Sequence, residues 1–291
     1  MPCGRDEYSR ERIDALPGST ENPNALLRKD SMALNEWFPP LEDKKDDMSE
    51  EPRELWTTLG YSAIILAVYS VLQILVATAF VSAAKAKHPG LDVETYARSL
   101  ASDGLCIGVM AVVSGLICTP LTLLFTRLRK NISIRDYIGF KEPLKREWIQ
   151  WLLILVAFLF LSDGVSLLLH QPIVPPFMVD AYKTASSLPI FLFAIVVMAP
   201  IFEEVFFRGF LFQGIRYSRL GPIGAIGITS LVWAVIHLQY DIYGMTTVLA
   251  LGLLFGIARL KTDSIHLLMV MHSFVGLMAT METAFYVRSL S

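Results

Sequence analysis

"APIFEEVFFRGF", Ala199–Phe210, sets two adjacent glutamates and an arginine inside an otherwise apolar run. Extended outward to "LPIFLFAIVVM" before it and "LFQGI" after it, the run covers 188–215. That exceeds the roughly 20 residues of helix needed to cross a hydrocarbon layer. A charge at the centre of such a layer costs about 2.5–3.5 kcal/mol, so three charges require compensation inside a helix bundle. Glu204 and Arg208 are four residues apart, which puts them on one helix face as an ion pair. Glu203 is rotated about 100° from that face and has no partner in its own helix. Pro200 removes a backbone donor and frees a carbonyl that needs protein or water nearby. The stretch therefore predicts a wet pocket within a transmembrane bundle.

The rest of the chain agrees with that solvent. Of 291 residues, 54% are hydrophobic and 18% charged, and the mean hydropathy is +0.50. A soluble domain carries about 45–50% apolar residues. Residues 1–54 differ, with 8 basic and 14 acidic side chains, a net of −6. They include "LPGSTENPN" and "WFPPLEDKKDDMSEEP", have no sustained apolar period and no signal-peptide core, and read as a disordered acidic cytoplasmic tail. Cys3, Cys106 and Cys118 show neither disulfide nor zinc spacing.

Apolar runs near 56–83, 105–126, 148–170, 188–215, 222–239, 244–260 and 265–285 predict an all-α polytopic transmembrane bundle of about seven spans. The third run contains Asp163-Gly164, a break or an internal polar contact, and starts with Trp148 and Trp151, which read as interfacial anchors. The connection "TRLRKNISIRDYIGFKEPLKRE" holds seven Lys/Arg, whereas "QPIVPPFMVDAYKTAS" holds only Lys183. The first connection is thus assigned to the cytoplasm together with the N-terminus. The organisation expected is a tail over 1–54, N-terminal membrane helices over 55–186 and a catalytic core over 187–285.

Two histidines fall where partners for the acidic pair are needed. His237 lies four residues after Trp233 in the fifth run, and His272 lies inside the seventh. An isolated buried histidine is an ordinary packing residue. Beside an unpartnered intramembrane glutamate, the set reads as a functional site. Hydrolysis is the chemistry it supports. Glu203 is the candidate base that draws a proton from water, His237 holds the water or protonates the leaving amine, and His272 donates to the oxyanion. Glu204 and Arg208 fix the helix and bias the field.

These motifs, Glu203-Glu204-x-x-x-Arg208-Gly209, Trp233-x-x-x-His237 and "LGLLFGIARLKTDSIHLLMVMH" ending at His272, resemble the CAAX-protease and bacteriocin-processing (CPBP) family. That family of intramembrane proteases includes the Ras-converting CAAX endopeptidases. The resemblance covers about 187–285 and implies a glutamate-activated water at Glu203 assisted by His237, an oxyanion site at His272 and support from Glu204 and Arg208. Three positions depart from the family pattern. Gly276 stands where Asn is common four residues after the last histidine, Trp233 where Phe is usual, and Asp263 where Gly is usual in a loop.

Other readings of the same residues stay open. Glu203, His237 and His272 could be three ligands of a catalytic zinc, although no H-E-x-x-H helix is present and the resemblance implies a metal-free reaction with no cofactor. A non-catalytic scaffold or bacteriocin-immunity-type protein of the same fold is favoured by Gly276. Proton-linked transport lacks paired broken helices. The partners expected are the bilayer and a membrane-anchored or lipid-modified protein or peptide substrate, with no nucleic acid, in a bacterial inner membrane.

Overall fold

A computed structural model describes residues 51–129 and 133–290 of the chain. The helices, in order, are α1 Glu51–Lys87, α2 Val93–Ser99, α3 Gly104–Arg127, α4 Ile134–Ile138, α5 Lys145–Leu168 and α6 Pro176–Thr184. They are followed by α7 Leu188–Arg216, α8 Gly221–Val235, α9 Ile242–Thr262 and α10 Ile265–Ser289. Among the described residues there is no strand. The acidic-tail expectation for 1–54 falls outside the described residues, except that α1 already begins at Glu51.

Among the described residues, six helices, α1, α3, α5, α7, α9 and α10, are long and apolar enough to cross a membrane. Leu153, Phe160, Leu161 and Leu168 of α5 stand exposed, as side chains facing lipid do. The expected fifth span over 222–239 is corrected: α8 is 15 residues long and ends at Val235. At 1.5 Å per residue it reaches about 22 Å, short of a hydrocarbon core of roughly 30 Å. Its end is set by a turn in which His237 N–H donates to Ala234 O and Tyr240 N–H donates to His237 O, both at 3.1 Å. Among the described residues, the six long apolar helices are thus accompanied by one shorter apolar helix, α8.

One open reading is narrowed and one expectation changes. α5 runs unbroken through Asp163-Gly164 to Leu168, with Asp163 half-buried. Trp151 is buried in the bundle rather than anchoring at an interface, while Trp148 Nε1–H donates to Glu142 Oε1 at 3.1 Å.

α7 is the bundle's irregular member. Its α-helical pieces are interrupted by π-helical turns at Ala194–Met198 and Glu204–Leu211. Ala199 N–H reaches Ala194 O and Phe212 N–H reaches Phe207 O, both across five residues. Pro200 lies between the two turns and has no N–H to give an α-helical ladder. Wide turns of this kind re-aim side chains and are frequent at functional sites.

Close packing brings the other helices to α7. Tyr69 of α1 stacks on Phe202 with ring centres 5.4 Å apart. α8 and α9 lie against each other where a Cβ on Gly252 would come within 3.0 Å of Ser230 Cβ and 3.2 Å of the Trp233 ring. That small residue seats the Trp233 indole, which is buried.

Candidate active site

The site is built around one indole. Trp233 Nε1–H donates to Glu203 Oε2 at 2.5 Å. The same ring lies edge-on to His237, with centres 5.1 Å apart, and edge-on to His272 at 5.4 Å. The Arg208 guanidinium carbon sits 4.2 Å from the ring centre. Glu203, Arg208, His237 and His272, from α7, the end of α8 and α10, therefore meet on a residue that had been singled out only as part of a spacing. Sequence reasoning correctly left Glu203 without a partner in its own helix. An indole N–H across the bundle could not be read from a one-dimensional pattern.

Glu204 and Arg208 form the anticipated pair, Arg208 Nη1 donating to Glu204 Oε1 at 3.1 Å, and both side chains are 0% exposed. His272 joins them, its Nδ1 lying 2.8 Å from Glu204 Oε1. Glu204 Oε2 and Arg208 Nε and Nη2 are buried without a hydrogen-bond partner among the described residues. A buried ion pair with such gaps is poor evidence of stabilisation. It is better read as a fixed charge arrangement beneath Trp233.

The hydrogen bonds assign the imidazole protons. The Trp233 carbonyl, 2.6 Å from His237 Nδ1, can only accept, so His237 carries its proton on Nδ1. Its Nε2 is then the lone-pair atom of the neutral ring. Glu204, facing Arg208, likewise takes the Nδ1 proton of His272 and leaves Nε2 directed elsewhere. His237 and Glu203 are each half-buried, whereas Glu204 and Arg208 are closed off.

Two residues around the site were not anticipated. Tyr240 stacks on His237, with ring centres 6.1 Å apart and planes 6° apart. Burial and the Glu203 carboxylate push its phenol up to about 12. The aromatic character of Tyr240, three residues beyond His237, was the available signal. Arg259, fully buried in the last turns of α9, donates from Nε to Arg208 O and from Nη2 to Ile138 O, both at 3.0 Å. It also pairs with Asp263. The basic connection around α4 is thereby tied to the backbone of the charged turn in α7.

Asp263, read from the sequence as a loop position where Gly is usual, carries a network of its own. It caps α9 in the left-handed region at φ +49° and takes Lys141 Nζ at 2.6 Å and Arg216 Nη1 at 3.6 Å. Burial raises its carboxyl, but Arg259 and Lys141 outweigh burial and hold it below the usual carboxylate range.

Gly276 has a steric reason. A Cβ there would lie 2.8 Å from Ile195 O, in the π-helical turn of α7. The backbone of α7 fills the volume an Asn side chain would need.

Among the described residues, no group of three His, Cys, Asp or Glu could hold a metal ion. Glu203 and His237 instead bond Trp233, and His272 bonds Glu204.

Residues 185–278 match the family described as type II CAAX prenyl endopeptidase Rce1-like. Over this segment the chain is similar to the Rce1-like family. An "Uncharacterized 24.3 kDa protein" of Escherichia coli is 27% identical over 165 residues, covering 54% of this chain and 73% of the relative. No solved structure matches the chain. With its six long apolar helices and its Rce1-like segment, the chain is an integral membrane protein.

Proposed function

We propose that the protein is an intramembrane endopeptidase that hydrolyses a peptide bond of a membrane-anchored or lipid-modified protein or peptide through a glutamate-activated water. The observation that carries this reading is the Trp233 indole, which holds Glu203 by a hydrogen bond and packs against both imidazoles. Trp233 anchors Glu203 through Oε2, and Oε1, with no bond to a described residue, is the oxygen that takes a proton from water. His237 Nε2 accepts from the same water and orients it. The water oxygen bonds to the carbonyl carbon, and the carbonyl electrons move to oxygen. His272 donates from Nε2 to that oxyanion when its ring carries both protons. The C–N bond then breaks, and the proton taken by Glu203 passes to the departing nitrogen. Glu204 and Arg208 orient His272 and Trp233 and do not touch substrate. The family match supports a peptidase of the CAAX prenyl endopeptidase type with the bilayer as medium, and the basic connection between α3 and α5 supports an N-terminus facing the cytoplasm, here of a bacterial inner membrane.

Comparison of membrane-protein termini by mass spectrometry, in cells with the wild-type gene and with Glu203→Gln or His237→Ala, tests the reading. The expected result is a processed end that disappears in both variants while each protein accumulates normally. Processing that persists in Glu203→Gln overturns it.

A non-catalytic scaffold is the second reading. Gly276, with the Ile195 carbonyl against it, supplies no side-chain donor beside His272. Under that reading the charged network stabilises the bundle, and no terminus depends on Glu203.

A further inference from the structure

We infer that Tyr240 is a positioning residue of the proposed peptidase, its ring fixing the plane of the His237 imidazole so that Nε2 faces the water used by Glu203. The inference rests on the peptidase reading for its function but on separate observations for its geometry.

His237 lies beyond the end of α8, in a turn, where no helical ladder holds its side chain. One hydrogen bond, Nδ1 to Trp233 O, fixes a single point of the ring and leaves rotation about that contact. Trp233 meets the ring edge-on at an interplanar angle of 76°, so it bounds one side. Tyr240 supplies the missing constraint, a nearly parallel face at 6°. The two contacts together define the imidazole plane.

Tyr240 is itself held from three directions. Its N–H donates to His237 O at 3.1 Å, closing the turn that folds its ring back over the imidazole. The next residue, Asp241, caps α9 by accepting from Gly244 N–H at 2.7 Å, which ties the turn to a long helix. Phe177 of α6 meets the Tyr240 ring edge-on, with centres 5.9 Å apart. Buried neighbours of Phe177, Met178 and Val179, anchor α6. The arrangement is a line of rings, Phe177, Tyr240, His237 and Trp233, ending on the carboxylate of Glu203. The phenol makes no hydrogen bond to a described residue, and its raised value keeps it a neutral ring across ordinary pH. The ring, rather than the hydroxyl, is thus the working part.

The test separates ring from hydroxyl and geometry from activity. Full-length protein in proteoliposomes is treated with diethylpyrocarbonate, and modification of His237 is measured by mass spectrometry against exposed His88 and His170. Tyr240→Phe is expected to match wild type. Tyr240→Ala, or Tyr240→Leu if the alanine variant does not accumulate, is expected to raise the His237 rate about threefold or more, the scale of a lost aromatic contact. With an internally quenched, C-terminally lipidated peptide as probe, the same variants are expected to lower kcat about tenfold with KM little changed. Unchanged His237 modification in both the alanine and leucine variants, or a phenylalanine variant as impaired as they are, overturns the inference. Cleavage that survives Glu203→Gln defeats the peptidase reading instead, and the modification rates still decide the role of Tyr240.

Discussion

Trp233 Nε1–H donates to Glu203 Oε2 at 2.5 Å, joining a helix-end tryptophan to a carboxylate on a neighbouring helix. Phe, usual at this position in the resembled family, offers a smaller apolar ring without an N–H. Trp233→Phe is therefore expected to keep the packing against His237 and His272 but release the carboxylate. A hydrogen bond to a charged group contributes about 1.5–3 kcal/mol to stability, so the thermal midpoint should fall, and kcat should drop by roughly 10-fold or more as the carboxylate loses its fixed position. Initial rates on a lipidated quenched peptide check this, and wild-type rates would show that the indole N–H is dispensable.

The Glu204–Arg208 pair is 0% exposed at both ends. Removing one member leaves the other charge buried, so Arg208→Met is expected to destabilise the protein by about 3–5 kcal/mol. The double variant Glu204→Leu/Arg208→Met should recover part of that loss, because no isolated charge remains. Unfolding in detergent, followed by tryptophan fluorescence, measures both. A double variant less stable than the single one would mean that the pair itself is strongly stabilising.

Asp263 combines a left-handed backbone with contacts to Arg259, Lys141 and Arg216. Asp263→Ala loses the contacts and keeps the backbone cost, while Asp263→Gly loses the contacts but relieves the backbone. The alanine variant should be less stable than the glycine variant by about 1 kcal/mol. Because the folded carboxyl lies below its ordinary value, its contribution is complete above the unfolded value near about 3.9 and disappears as pH falls through the lower folded value. Asp263→Asn should remove that part of the acid dependence, as thermal midpoints across an acid series would reveal.

Gly276→Asn restores the side chain of the resembled family but places a Cβ 2.8 Å from Ile195 O. The α7 backbone must move to admit it, at a cost of about 1–3 kcal/mol. Lower thermal stability and no gain in cleavage are expected. A Gly276→Asn protein of wild-type stability and higher kcat would show that α7 yields easily.

Much of the architecture was legible because lipid imposes a simple code: backbone groups must bond within their own helix, so each span appears as a long apolar run. α1, α3, α5, α7, α9 and α10 follow that code. α8 departs from it because its apolar run continues past the helix, and only the turn from His237 to Tyr240 shows where the ladder stops. Asp163-Gly164 left a break and an internal contact both open, since a polar pair inside an apolar helix need not interrupt its hydrogen bonding.

Sequence alone determined that three charges lay inside a membrane span, that Glu204 and Arg208 could pair four residues apart, and that Glu203 lacked a partner along its own helix. These are consequences of local periodicity. Tertiary structure decided that Trp233 answers Glu203, that His272 binds Glu204, and that the α7 backbone excludes a side chain at Gly276. Each depends on how wide π-helical turns in α7 and the short reach of α8 orient side chains from distant parts of the chain, and residue spacing carries no record of those rotations.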